Sequence, residues 1–361
     1  MIYYLVTRDH DYTVRSFLAT WGGALKPYLK VLPYETLFRQ DRLSTGAYIF
    51  SDIERLDDEM RRAAALIADA LCDQGGTSVC LLNHPVLSMT RYALLRCLYQ
   101  EGLNDFNVYR MTDDEGAKRF PVFIRNDNDH EGAQSELIKT PEALAAAVRA
   151  IEARGTDPRN KIVTEFCDTA DADGIFRKYS CFCVAGEIIP RHVCFGRHWM
   201  LKYPDLSGPE WIRRELDFIR TNPHEAHLKK IFNLARIAYG RIDYSLKGDR
   251  VEVWEINTNP GLVSLLSAGN PARRPVHEAF LDRFLCAMRR LDVSDNETAL
   301  VNPVCLDLRS EPLTKRVKNL SLSAFYALPV SVSAKAFLHQ RLVNFKRRIL
   351  PEQNDGKTLR P

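Results

Sequence analysis

The chain has 361 residues, with 50 Lys and Arg against 46 Asp and Glu, a formal charge of +4, and 45% hydrophobic residues. That composition excludes wholesale disorder and fibrous classes, and a charge this close to balance gives no reason to expect a nucleic-acid partner. The length predicts two or three lobes, and no stretch reaches the roughly 18 to 20 apolar residues of a membrane span.

In chain order, the opening MIYYLVTRDHDY is a short apolar run that meets charges at once. It lacks the basic start and longer apolar stretch of a signal peptide, so a first strand over residues 2–7 and a cytoplasmic protein are expected. A short strand over 47–50 follows, with Ser51 and Asp52 placed to cap a helix. A long Ala- and Leu-rich helix over 54–72 ends at Gln74, Gly75 and Gly76. A strand over 79–83 and a helix over 89–101 complete a β-α-β-α rhythm. This predicts an N-terminal α/β lobe, residues 1–110, with a small parallel sheet.

Residues 111–291 have an α+β texture. Strands are predicted over 120–125, 161–167, 179–184 and 187–192, the last two joined at Ala185 and Gly186. Helices are predicted over 141–154, with Thr140 as N-cap, and over 223–239 and 275–291. The nine cysteines are odd in number and contain no CxxC pair. Reduced core thiols are therefore expected rather than a disulfide framework, with Cys181 and Cys183 on one strand face. Residues 292–361 form a basic, partly helical tail. Within it, 334–350 (AKAFLHQRLVNFKRRIL) is a basic amphipathic stretch that suits an anionic membrane surface, a protein partner or its own domain.

The most informative segment is 239–261, YGRIDYSLKGDRVEVWEINTNPG. It reads as a hairpin whose strands, 241–247 and 251–257, are joined by Gly248, Asp249 and Arg250. Lys247 then pairs with Val251, and Asp243 lies opposite Glu255. Residues two apart and residues directly opposite share a face, so Asp243, Glu255 and Asn257 converge. Ile242, Tyr244, Leu246, Trp254 and Ile256 form the opposite, core face. Two carboxylates and an amide oxygen suit a hard cation such as Mg²⁺, with Mn²⁺ as a substitute; the absence of His and Cys disfavours zinc. The same residues also describe an ordinary hairpin with a solvated acidic face.

GRIDYSL followed by EINTNPG closely resembles the metal-binding end of the ATP-grasp superfamily, especially its glutathione-synthetase-like and ribosomal-protein glutamate ligase branches. The resemblance implies an ATP-grasp fold, in which two α+β subdomains hinged near 165–170 hold ATP behind a pre-ATP-grasp lobe. It implies that Asp243, Glu255 and Asn257 hold Mg²⁺ between the phosphates. FPVFIR, 120–125, is similar to the family's first nucleotide-lobe strand, with Arg125 at the position of a phosphate-contacting lysine. The run 126–134 stands where the family has a glycine-rich loop, yet has only Gly132, and its His130 fits either a phosphate contact or an exposed loop histidine. Glu165, Phe166, Cys167 and Asp168 occupy the adenine-receiving stretch, which also reads as a plain buried strand.

The family's catalytic-site arginine falls by register on Ser180, with Arg177 and Lys178 just before it. Arg191, Arg197, His198 and Lys202 lie farther along. Cations here would stabilise a transferring phosphoryl group, and they read equally as a solvated loop. The candidates for this catalytic role are Arg125, Arg177, Lys178, Arg197 and Lys202. His224 and His227, three apart at a helix start, have metal spacing but no further ligand.

The implied activity is an ADP-forming, ATP- and Mg²⁺-dependent ligase that joins a small-molecule carboxylate to an amine through an acyl phosphate. An ATP-binding protein without ligase activity, and a phosphotransferase on the same scaffold, are the alternatives.

Overall fold

A computed structural model of the chain describes residues 1–113, 116–129, 132–155, 157–263, 270–292 and 299–304. The expected tail stretch 334–350 and His130 lie outside the described residues.

The first strand, β1 (Ile2–Val6), is buried at all five positions. An uninterrupted apolar run of this kind belongs at the centre of a parallel sheet covered on both faces. α1 (Tyr12–Ala19), β2 (Leu29–Pro33), α2 (Tyr34–Leu37), β3 (Arg42–Ser44) and β4 (Gly46–Phe50) follow. Next come α3 (Asp58–Gly75), β5 (Val79–Leu82) and α4 (Arg91–Gln100). The sheet order is β2-β1-β4-β5, with parallel pairing throughout. β2 and α1 extend the predicted rhythm. The helix expected from residue 54 begins at Asp58, because Asp57 is its cap and accepts the Met60 amide at 2.8 Å. Asp52 instead sits in a left-handed conformation at φ 58°, ahead of a single 3₁₀ turn.

β6 (Val108–Arg110), β7 (Val122–Asn126), α5 (Pro141–Ala153) and β8 (Lys161–Glu165) build a second, antiparallel sheet of order β6-β8-β7. Thr140 caps α5 as expected, accepting the Ala143 amide at 3.2 Å. Leu144, Ala147 and Ile151 of that helix pack on Val122, Ile124 and Val163.

A third sheet is made from β9 (Phe176–Val184), β10 (Glu187–Gly196), β11 (Tyr239–Lys247) and β12 (Arg250–Asn257), in the order β10-β9-β11-β12. Around it stand α6 (Pro209–Thr221), α7 (Glu225–Ala235) and α8 (Arg274–Arg289), and β13 (Ala299–Val301) returns to pair with β3. α6 was not predicted. The helix expected over 223–239 is shorter, stopped at Arg236 by a left-handed cap at φ 54°. The α/β plus α+β class therefore holds over the described residues.

The hairpin differs from the prediction in an instructive way. Lys247 pairs with Arg250, not Val251, across a two-residue turn with Gly248 at φ 60°. A bulge then shifts the register between Asp243 and Tyr244, leaving Trp254 without a partner and returning Asp243 to face Glu255. The two differences cancel at the carboxylates. Gly240 is required beside them: a Cβ there would stand 2.9 Å from the Asn257 carbonyl oxygen.

Met1–Leu306 forms one compact unit. Its first sheet is sealed by α8, whose Phe284 packs on Phe17 and whose Phe280 packs on Phe182. Asn83 joins this sheet to β11. Its amide nitrogen donates to the carbonyls of Phe50 and Tyr239 at 3.0 and 2.8 Å, and its oxygen accepts the Ala238 and Tyr239 amides at 2.8 and 3.0 Å. Asn tolerates the φ of 63° that this reach demands. Asn83→Ala strands buried backbone groups and is expected to lower unfolding free energy by about 2 kcal/mol. A urea midpoint equal to wild type would contradict this.

Among the described residues eight cysteines are free thiols. Cys167, Cys181, Cys183 and Cys194 are buried, as expected, but Cys72 and Cys286 are exposed. No described helix is long and apolar enough to cross a membrane.

Candidate active site

Between the second and third sheets lies a cleft. β7 supplies Phe123 and Arg125, and the chain leaving β8 supplies Phe166 and Cys167. β9 contributes Arg177 and Lys178, and Trp199 to Lys202 cover the cleft from beyond β10. Asp243, Ser245, Trp254 and Glu255 of the hairpin close its floor.

One end of the cleft is aromatic. Trp199 packs against Phe123 at 5.1 Å, tilted by 53°, and edge-on to Phe166 at 5.9 Å, which makes an apolar wall. Burial pushes the Cys167 thiol up to about 12, so at neutral pH it is an uncharged part of that wall.

The other end is charged. Glu255 accepts from Arg91 and Arg125 on the same oxygen, Oε2, at 2.6 Å each. Asp243 Oδ1 accepts from Arg241 Nε and Ser180 Oγ, both at 2.8 Å, and Lys178 Nζ stands 3.7 Å from its other oxygen. Four cations thus surround two buried carboxylates. Arg125 is enclosed, and burial, with Arg91 beside it, lowers its pKa from the ordinary guanidinium value.

The bulge brings Trp254 onto this floor. Its indole Nε1 donates to Ser245 Oγ at 2.9 Å and its ring stacks on Phe106 at 5.0 Å. Trp254 thus packs against the core, as expected, and at the bulge it also lines the cleft.

The remaining candidates are placed as follows. Asn257 is buried beside the cleft, and its Oδ1 accepts the Asn259 amide at 2.9 Å. Glu165 lies behind the wall, accepting from the Asn107 amide, the Tyr109 hydroxyl and Arg119 at 2.9 to 3.0 Å. Asp168 is exposed and accepts the Ala170 amide at 3.0 Å. Arg177 lines the cleft while paired with Asp171. Lys202 is at the rim, and Arg197 is exposed and outside the lining. His224 bonds the Tyr244 hydroxyl at 2.8 Å and sits edge-on to Tyr179 and Tyr244, an aromatic core contact away from the cleft.

Two cations escaped the sequence reading. Arg241 lies two residues before Asp243 and shares its face, so period-two alternation was a signal for it. Arg91 opens α4, 164 residues before Glu255, with nothing local to mark it.

Ser180 Oγ also lies 3.0 Å from His192 Nε2. Burial, then the charge of Arg191, holds the His192 pKa well below its ordinary 6.5. The unfolded chain takes up a proton there as pH falls through about 6.5, whereas the folded chain does not. Stability is therefore lost below that pH, by up to about 1.4 kcal/mol per unit from this residue. His192→Gln should remove that slope. Urea midpoints for both proteins from about pH 7.5 to about 5.5 measure it, and parallel curves would contradict the assignment.

No family model matches the chain, and no curated protein matches it. Solved structures do. A D-alanine–D-alanine ligase from Bacillus anthracis is similar at 12% identity and a TM-score of 0.46, covering 80% of this chain and 98% of the ligase. The corresponding ligase from Helicobacter pylori gives 14% and 0.44, covering 82% and 99%. A RimK domain protein from Sphaerobacter thermophilus DSM 20745 gives 14% and 0.41, covering 78% and 100%. That protein is an ATP-grasp protein by name.

Proposed function

We propose that this chain is an ATP-grasp ligase, joining a carboxylate to an amine at the expense of ATP. The observation that carries the proposal is the polarity of the cleft. An aromatic wall suited to a purine stands at one end, and at the other Arg125 and Lys178 line the cleft beside two facing carboxylates, which Arg91 and Arg241 also hold, the place for phosphates.

The donor set suits Mg²⁺. Asp243 and Glu255 face each other on the cleft floor, and Asn257 offers a carbonyl-type oxygen with two lone pairs, one of them engaged by Asn259. These three residues would hold the ion, which would neutralise phosphate charge when bound. Arg125 and Lys178, which line the cleft, would turn from the carboxylates toward the phosphates and orient them for attack. The substrate carboxylate attacks the γ-phosphorus, ADP leaves, and an acyl phosphate forms. The amine next attacks the acyl carbon, expelling inorganic phosphate and a proton. Arg241, held on Asp243 by two contacts, faces the charge that develops on the acyl oxygens.

The test is ADP release with Mg²⁺ against pools of acids and amines, with product mass as the second readout. An amide product is expected. A phosphorylated product would replace the ligase reading by the phosphotransferase one, and ATP binding without turnover would replace it by a non-catalytic one.

A further inference from the structure

One row of residues crosses the third sheet from edge to edge. His192 of β10 lies opposite Ser180 of β9, Ser180 opposite Asp243 of β11, and Asp243 opposite Glu255 of β12. Residues directly opposite share a face, so all four stand on one side of the sheet. The register shift of β10 completes the row. Continued from Pro190 and Cys181, the pairing would set Arg191 against Ser180, and the extra residue brings His192 there instead. Ser180 is fully buried, and Asp243 is 3% exposed.

The hydrogen bonds along this row have a fixed direction. Asp243, paired with Arg241 and Lys178, is a carboxylate and can only accept, so the single Ser180 hydroxyl proton goes to its Oδ1, at 2.8 Å. Ser180 Oγ can then only accept from His192 Nε2, at 3.0 Å, which places a ring proton on that nitrogen. Burial keeps this ring neutral at neutral pH, so its Nδ1 is bare. Asp243 Oδ1 also accepts Arg241 Nε at 2.8 Å, and both of its lone pairs are thereby engaged. Among the described residues Oδ2 has only longer contacts, to Arg241 Nη2 at 3.2 Å and Lys178 Nζ at 3.7 Å.

We propose that Ser180 and His192 are positioning residues for Asp243, locking its Oδ1 so that Oδ2 alone is presented to a divalent cation. This rests on the metal site of the ligase reading and adds how Asp243 serves it, through one oxygen rather than two. Mg²⁺ demands near-ideal octahedral geometry, so a carboxylate that cannot rock toward edge-on contact favours it. A serine hydroxyl free to rotate would not hold the carboxylate this way. The His192 donor fixes the hydroxyl, as partners behind metal ligands commonly do.

The experiment measures Mn²⁺ binding to the full chain in the presence of ADP, by electron paramagnetic resonance. It compares wild type, Ser180→Ala, His192→Leu and the double variant, and needs no turnover. Ser180→Ala should weaken Mn²⁺ binding about 10-fold or more, the scale on which the hydrogen-bond partner of a metal ligand acts. His192→Leu should weaken it about 3-fold, since the hydroxyl remains but is free to rotate. On the Ser180→Ala background His192→Leu should change nothing further, because its effect passes through the hydroxyl. The ¹⁵N shifts of His192 in the wild type, at about pH 7, should show Nε2 protonated and Nδ1 bare, a readout that depends on no variant. The opposite tautomer, Mn²⁺ binding by Ser180→Ala within about twofold of wild type, or additive losses in the double variant would each overturn the proposal. A wild type that binds Mn²⁺ but turns over no ATP would refute the ligase reading alone. One that binds no Mn²⁺ would refute the metal site and the proposal together.

Discussion

Glu255→Gln is expected to destabilise the chain by about 3–5 kcal/mol before any nucleotide is added. Two guanidinium groups converge on one oxygen of Glu255 at 2.6 Å each, and the side chains of Arg91, Arg125 and Glu255 are only 4%, 11% and 11% exposed. A glutamine is nearly isosteric but uncharged, and its amide nitrogen can only donate, so both arginines lose the buried carboxylate they share. Urea denaturation reads the cost directly, and a loss under about 1 kcal/mol would show that water screens the cluster. The same substitution should bring Mg²⁺-dependent ATP turnover below detection, as should the milder Asp243→Asn. Retained turnover in both would remove these residues from the metal site.

Arg125→Met should show the opposite pattern. Glu255 keeps Arg91, which also donates to the backbone carbonyls of Asn126 and Asp129, so the anion stays paired and the urea midpoint should move little. The buried, destabilised charge of Arg125 is itself removed. The loss should appear in kcat/KM for ATP, at about 10² to 10³-fold, the scale on which a preorganised charge acts on a phosphoryl group. Arg125→Lys should recover part of it, as a point charge lacking the forked geometry. If Arg125→Met instead unfolds the protein and leaves kcat/KM intact, Arg125 is structural.

How much of this was legible beforehand depended on whether the signal was local. The hairpin was readable because alternation of apolar and acidic residues marks two faces without any long-range knowledge. Its turn and its bulge were not, since Trp254 looks like one more core hydrophobe in a strand. Arg125 stood at the end of a recognisable strand, whereas Arg91 stood at the start of a helix whose role depends on a contact 164 residues away. Glu165 was correctly placed on a buried strand, but its oxygens face Asn107, Tyr109 and Arg119, partners that the sequence did not link to it. The wall formed by Phe123, Phe166 and Trp199 draws on three separate segments, and no one of them announces a pocket.

The closure of the first sheet by α8, and of β3 by β13, also governs when this protein can fold during synthesis. β1 leaves the ribosome long before α8, yet the aromatic residues that cover its layer arrive at positions 280 and 284, and the partner of β3 at 299–301. Until then the nascent chain holds an uncovered apolar face and an unpaired strand. Contacts of such sequence separation form late, and the waiting surface is where chaperones bind and where aggregation starts. A ribosome stalled short of Ala299 would therefore display a first lobe that is protease-sensitive, and release of the full chain would protect it.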